Sequence, residues 1–287
     1  MAVKPGVLER IRRIARLFRL YARMDAAWLM HDTKNCIFAV AGDLISSLAS
    51  ISSVFLLSRR FAGVGALSSD EILLMLGYAT AVSGLFQLFF GGSNTGYISR
   101  RVGRGQLDHM LIQPLSLFTQ LLTEGFLPVS GSSALLSGIA VTAIAAARLK
   151  IAASFGWIAL LLGYLVCGVA MILGYSFLFG SAAFYRPKAG EELSSVAIDA
   201  LLSLSIYPLS GLSAAARFAL LTALPAGTLA WLPTCILLNK TENGLLPLLP
   251  GLMAAIACVF AYIFFSKGLK HYGKVGSTRY RSMGHRG

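Results

Sequence analysis

Three carboxylates lie inside long apolar runs of the sequence, where an ionisable side chain is costly and is therefore a functional candidate. Asp43 lies in the first run, Glu124 early in the third and Asp199 in the fifth. Facing the interior of a membrane protein, they and the nearby Tyr207 could line a path for a cationic or amphipathic solute. Alternatively, Asp43 and Glu124 lie at headgroup depth, and Asp199 pairs with a polar neighbour.

The other reactive residue types form no catalytic or metal-binding pattern. The four cysteines stand singly in apolar stretches, so they predict neither a disulfide framework nor a zinc site. The histidines show no HExxH spacing, and the chain contains no GxxxxGK[ST] phosphate-binding loop, because GGSNTG at 91–96 lacks the lysine. We therefore expect no catalytic residue, metal or cofactor on this chain. A membrane-embedded lipid-modifying enzyme using Glu124 or Asp199 as a base is an alternative, and a non-transporting accessory protein is another.

The composition predicts which elements carry these carboxylates. Apolar residues make up 56% of the 287 residues and charged residues 13%, against roughly 25% in a soluble domain. A hydrocarbon core about 30 Å thick requires about 20 apolar residues in a helix, and backbone groups must pair internally there. We therefore predict an all-α polytopic membrane protein with one transmembrane domain over 35–287. Its six predicted spans are 36–57, 72–92, 117–147, 153–185, 189–209 and 248–266.

The segment 214–238 is apolar enough to be a seventh span, and loop charges decide against it. Most of the 25 Lys and Arg lie in 1–34, in the loop 93–116, just after the fourth run and in the tail 267–287. Six spans with both termini in the cytoplasm place these groups on one side, as the positive-inside rule requires. Pro225 and Pro233 each remove a backbone donor. We predict that 214–238 is a re-entrant hairpin from the outer face.

Residues 1–34 predict an amphipathic helix lying on the cytoplasmic membrane surface. Apolar residues from Val7 to Tyr21 follow helical spacing on one stripe. The opposite stripe carries Arg12, Arg16, Arg19 and Arg23. Such arginines attract anionic lipid by about 1 kcal/mol each. A DNA-binding helix or a solvated basic arm has a similar pattern, but a helix directly before a span favours the lipid bilayer over nucleic acid.

The loop after the second run predicts a short helix suited to a partner protein. Gly103 and Gly105 end any preceding helix, and Pro114 ends the segment that follows. Between them, Leu107, Met110 and Leu111 are expected on one side, which suits docking into a groove. An ordinary positive-inside loop is the alternative.

This loop resembles that of a known family. The pattern GxLDxxLxxPLS at 105–116 is similar to the first cytoplasmic loop of type-two ABC exporter permeases, and the segment 183–212, AFYRP…YPLSGL, resembles the branch encoded as two permeases and one ATPase. The order of segments over nearly the whole chain is similar too.

The resemblance implies that the loop 97–116 is a coupling helix seated in a separate ATPase. The residues to which it assigns this role are Arg101, Gly103, Gly105, Gln106, Leu107, Asp108, Leu111 and Pro114. It also implies two ATPase copies that bind ATP and Mg, a second permease, identical or homologous, and export of a lipophilic or cationic small molecule across a bacterial-type inner membrane. The chain is then a transport subunit and no enzyme.

Overall fold

The structure, a computed structural model, describes residues 7–60, 66–91, 98, 101–102, 105–129, 131–241 and 244–276. In these ranges the chain is helical and contains no β-strand. The first helices are α1 Val7–His31, α2 Thr33–Arg60, α3 Ser69–Phe90, α4 Gln106–Leu111, α5 Leu117–Thr123 and α6 Ser133–Arg148. They are followed by α7 Phe155–Gly180, α8 Pro187–Ser205, α9 Ala214–Thr222, α10 Ala226–Leu229, α11 Trp231–Leu237 and α12 Leu249–Val275.

Four helical segments of the described chain are long and apolar enough to cross a membrane. They are Thr33–Ser53, Ser69–Phe90, Phe155–Phe184 and Leu246–Val275, in the regions of the first, second, fourth and last predicted spans. The helix α6 has 16 residues, about 24 Å at 1.5 Å per residue, which is shorter than the hydrocarbon core. The helix α8 carries four charged residues, Lys188, Glu191, Glu192 and Asp199. Length and composition therefore establish four candidate spans, fewer than the six predicted.

The predicted third span, 117–147, is not one continuous helix, and this prediction is corrected by the structure. The helix α5 ends at Thr123 and α6 begins at Ser133. Pro128 between them has no backbone N–H to continue a helix. The Leu127 N–H instead donates to the Leu88 carbonyl at 2.8 Å. The helix is thus interrupted between Thr123 and Ser133. Leu127 holds this break against the end of α3, and we call its described residues, 124–129 and 131–132, the fold-back.

The helices α3 and α6 form the closest antiparallel pair in the bundle. A Cβ built on Gly77 would lie 2.6 Å from the Thr142 nitrogen, and Cβ atoms on Gly84 and Gly138 would overlap the backbones of Leu135 and Ala81. Small residues allow such close backbone approach between membrane helices. At the far end of the pair, Arg148 lies 3.6 Å from Asp70.

The helices α7 and α12 run parallel to each other. The Tyr164 hydroxyl, in the first half of α7, donates to the Pro247 carbonyl just before α12 at 3.1 Å. Gly174 faces Ala257 farther along, and Gly268, in the last third of α12, meets Phe184 just after α7. We call the side of the bundle that contains Phe184, α4 and the last residues of α3 the α4 end. The other side, which contains Ser69 and Phe155, is called the opposite end.

The segment 214–237 is a helical hairpin that contains no helix longer than nine residues. The Ala223 carbonyl accepts from the Tyr175 hydroxyl at 3.1 Å, which places the turn of the hairpin beside the second half of α7. The Leu237 carbonyl, by contrast, accepts from Trp157 Nε1 at 3.2 Å, near the opposite end. Just beyond it, Lys240 binds Glu71 at 2.7 Å, so the second arm of the hairpin returns to the opposite end.

Candidate coupling site at the α4 end

The short helix α4 is packed into its own chain through one face. Leu107 and Met110 are 1% and 8% exposed. They belong to a buried cluster that includes Phe184 and Phe265 from the neighbouring helices and Tyr272 from the end of α12. The apolar face expected to meet a partner is therefore divided, since Leu107 and Met110 anchor the helix internally.

The opposite side of α4 and the residues after it remain exposed. Leu111 is 44% and Ile112 81% exposed, and Gln106, Asp108 and Pro114 are also exposed. Gly105 begins the helix with φ of 70°, a left-handed conformation that favours glycine. Gly103, which was predicted to share this role, lies outside the described residues. The exposed edge from Gln106 to Pro114 is the surface that a partner could contact.

Two side chains, those of Tyr272 and Gln120, fasten α4 to the bundle through hydrogen bonds. The Tyr272 hydroxyl donates to Asp108 Oδ1 at 2.8 Å, which joins α4 to α12. The buried Gln120 amide donates to the carbonyls of Met110 at 2.9 Å and Leu115 at 3.0 Å, which joins α4 to α5. The sequence analysis missed Gln120 and Tyr272. An amide residue among the apolar residues that follow Pro114 was the available sequence signal for Gln120.

The ion pair of Arg101 with Glu124 is the main electrostatic contact behind α4. Arg101 Nη1 lies 2.5 Å from Glu124 Oε2 and 3.3 Å from the Met110 sulfur. The arginine side chain is 14% exposed and the glutamate side chain 35%. The pKa of the neighbouring Tyr21 is raised, first by burial and then by the Glu124 carboxylate, and Arg101 offsets part of this increase. Glu124 thus holds the segment before α4 to the fold-back.

The helix α1 is attached to the same fold-back. The buried Asp25 accepts from the Val129 N–H at 2.7 Å, and Phe18 packs edge-on against Phe126 at 5.1 Å between ring centroids. Arg12, Arg16, Arg19 and Arg23 are exposed. Asp25 follows Tyr21 by one helical turn on the apolar stripe, and this misplaced charge was the sequence signal for its role.

The predicted substrate-path residues lie on α2, in the fold-back, on α8 and just after α8. Glu124 is paired with Arg101 near α4. Asp43 and Asp199 are exposed on α2 and α8, and Tyr207, just after α8, is 49% exposed. Within the described ranges, no group of three or more His, Cys, Asp and Glu side chains could hold a metal ion.

Replacing Gln120 by leucine is expected to loosen α4 without unfolding the bundle. The change removes the amide donor from the Met110 and Leu115 carbonyls, although the Gln113 N–H still donates to Met110 at 3.4 Å, so we expect a loss of about 1 kcal/mol, the usual net value of one hydrogen bond. Limited proteolysis should then cut the 105–116 segment faster than in the parent chain. The exposed Gln113 provides the matched control, and Gln113→Leu should leave the cleavage rate unchanged. Equal rates for the two variants would contradict the assigned role of Gln120.

Comparison with known proteins agrees with the predicted resemblance. The sequence profile described as ABC-2 family transporter protein matches residues 44–276, which include α4 and all helices after α2. No curated protein and no solved structure matches the chain.

Proposed function

Since the chain belongs to the ABC-2 transporter family, we propose that it is the transmembrane permease subunit of an ATP-driven exporter. The observation that supports this role most strongly is the arrangement of α4. Its exposed edge includes Leu111 and Ile112, whereas Leu107 and Met110 pack inward and Asp108 is joined to α12 through Tyr272. A partner that moves this edge would therefore move the bundle.

The partner in this proposal is a separate ATPase, present in two copies that hold ATP and Mg. The chain itself contains no Walker-type phosphate-binding loop. Closure of the two ATPase subunits on ATP binding pushes α4, and the Tyr272 and Gln120 contacts transmit that push to α12 and α5.

The membrane topology in this proposal has six spans, with α6 and α8 added to the four long helices. The basic residues of 1–34, of the loop 93–116 and of the tail 267–287 then lie in the cytoplasm, at the α4 end. The arginines of α1 face the anionic membrane surface of a bacterial-type inner membrane. The hairpin 214–237 enters from the outer face.

A second permease, identical or encoded beside this one, completes the translocation path. The span window of α2 is only 12% buried within the chain, and six helices of one chain do not easily enclose a path. The exposed Asp43 and Asp199, with Tyr207, favour a lipophilic or cationic small molecule as cargo.

Reconstitution tests the proposal in two separate steps. The chain is co-expressed with the ATPase and permease encoded beside it, purified through a tag on the chain, and incorporated into liposomes. We expect the ATPase to co-purify and ATP to drive transport of a lipophilic cationic dye, with no transport when the ATPase lacks its phosphate-binding lysine. Failure of the ATPase to bind would contradict the permease assignment, whereas binding and hydrolysis without dye transport would contradict the cargo class alone.

A further inference from the structure

An apolar groove of about 420 Å³ opens on the flank of the bundle near the α4 end. This volume is in the usual range for ligand sites, about 300–1,000 Å³. Its principal lining residues come from α5, α7 and α12 and are Phe118, Leu173, Phe177, Cys258, Tyr262 and Phe265. None of the residues that line the groove is charged. The polar side-chain groups on its wall are hydroxyls, including those of Ser116 and Ser266.

The surface around the groove indicates that it faces hydrocarbon. The helices α7 and α12 that form its long walls are both candidate spans, and each is only 28% buried within the chain. Their outward residues are apolar, for example Val166, Val259 and Phe264, which are 64%, 57% and 48% exposed. An occupant of the groove therefore has an apolar chain or ring system.

A positive charge stands at one end of the groove. Lys270 is exposed and follows the lining residue Ser266 by four residues on α12, so the two side chains are neighbours on the helix surface. The Asp108 carboxylate accepts from Tyr272 at 2.8 Å, and Tyr272, two residues after Lys270, lies on a different side of α12. A lysine at the end of a span extends its ammonium group to the headgroup region, where it attracts anionic lipid.

We propose that this groove binds an anionic phospholipid, with an acyl chain against Phe177, Cys258 and Phe265 and the headgroup phosphate at Lys270. The proposal goes beyond export. It depends on α7 and α12 spanning the membrane and does not depend on the ATPase or the cargo.

Photolabelling of the full chain tests the site. The chain is reconstituted in phosphatidylcholine vesicles containing a little phosphatidylglycerol with a photoreactive diazirine on its acyl chain, and labelled peptides are identified by mass spectrometry. We expect labelling of the peptides that contain Phe118 and Tyr262, suppressed by unlabelled phosphatidylglycerol more than by phosphatidylcholine. Cys258→Phe, which fills the groove, should abolish it, whereas Val259→Phe, at the neighbouring exposed position, should not.

A second pair of variants tests the headgroup contact. Lys270→Gln should weaken competition by phosphatidylglycerol about fivefold, and Lys274→Gln, one turn farther along α12, should have a smaller effect.

Labelling that is unchanged by Cys258→Phe, or equal competition by the two lipids, would overturn the proposal. Disulfide formation between Cys258 residues of two copies under copper phenanthroline, with no lipid labelling of the groove, would also overturn it and would show that a second chain covers the groove. The labelling outcomes do not depend on the dye-transport experiment, so failure of dye transport would not contradict the lipid site.

Discussion

Gly84→Ala is expected to prevent stable folding of the chain, although it adds a single methyl group. The new Cβ would overlap the backbone of Ala134 and Leu135 on α6. Backbone atoms cannot rotate away as a side chain does, so α3 and α6 must separate. Overpacking usually costs about 1–3 kcal/mol, and we expect the upper end of that range or more because the closest helix pair in the bundle would open.

Gly163→Ala is the matched control for this prediction. Gly163 lies on α7, and a Cβ there would meet nothing within 4 Å. The substitution should leave stability unchanged or raise it by up to about 1 kcal/mol through helix propensity. Size-exclusion profiles and melting curves of the detergent-purified variants measure the difference. Monodisperse Gly84→Ala protein that melts at the parent temperature would contradict the close α3–α6 contact.

Arg101→Glu is expected to disconnect α4 from the fold-back. The substitution places a second carboxylate beside Glu124, where the parent chain has an ion pair of 2.5 Å. Because Glu124 is 35% exposed, water screens the pair, and we expect its loss to cost about 1 kcal/mol, less than for a buried pair. The donor to the Met110 sulfur is lost as well. We expect ATP hydrolysis by the assembled complex to become independent of the cargo, while the chain still folds.

The reversed pair provides the control for that prediction. Arg101→Glu combined with Glu124→Arg restores opposite charges at the same positions, and we expect it to recover a substantial part of cargo-stimulated hydrolysis. A cycle of the parent, two single variants and the double variant gives the coupling free energy directly. Strictly additive effects in that cycle would show that the two residues act independently.

The sequence predicted the helical class and the approximate positions of the long apolar helices, because hydrocarbon requires internally paired backbone over a fixed length. It did not predict the break within 117–147. Pro128 was visible, but the decisive partners of this turn lie elsewhere, at Leu88 on α3 and Asp25 on α1. Periodicity in a window of residues contains no information about such distant partners.

The location of the candidate site along the chain could be predicted from the sequence, but the packing of its side chains could be predicted only in part. Gly105 and Pro114 correctly delimited the segment that contains α4, because both residues constrain the local backbone. The division of its apolar residues into a buried face with Leu107 and an exposed edge with Ile112 depends on how α12 packs. The partner of Asp108, Tyr272, is 164 residues away along the chain, so sequence spacing could not identify it.

The most direct test of the account compares ATPase binding by two chains that each carry one added carboxylate. Ile112→Glu changes the exposed edge of α4, and Leu245→Glu changes a residue near the opposite end, with exposures of 81% and 80% in the parent chain. After co-expression with the proposed ATPase partner and purification through a tag on the chain, we expect Ile112→Glu to lose the ATPase and Leu245→Glu to retain it. Full retention by Ile112→Glu would contradict coupling through α4.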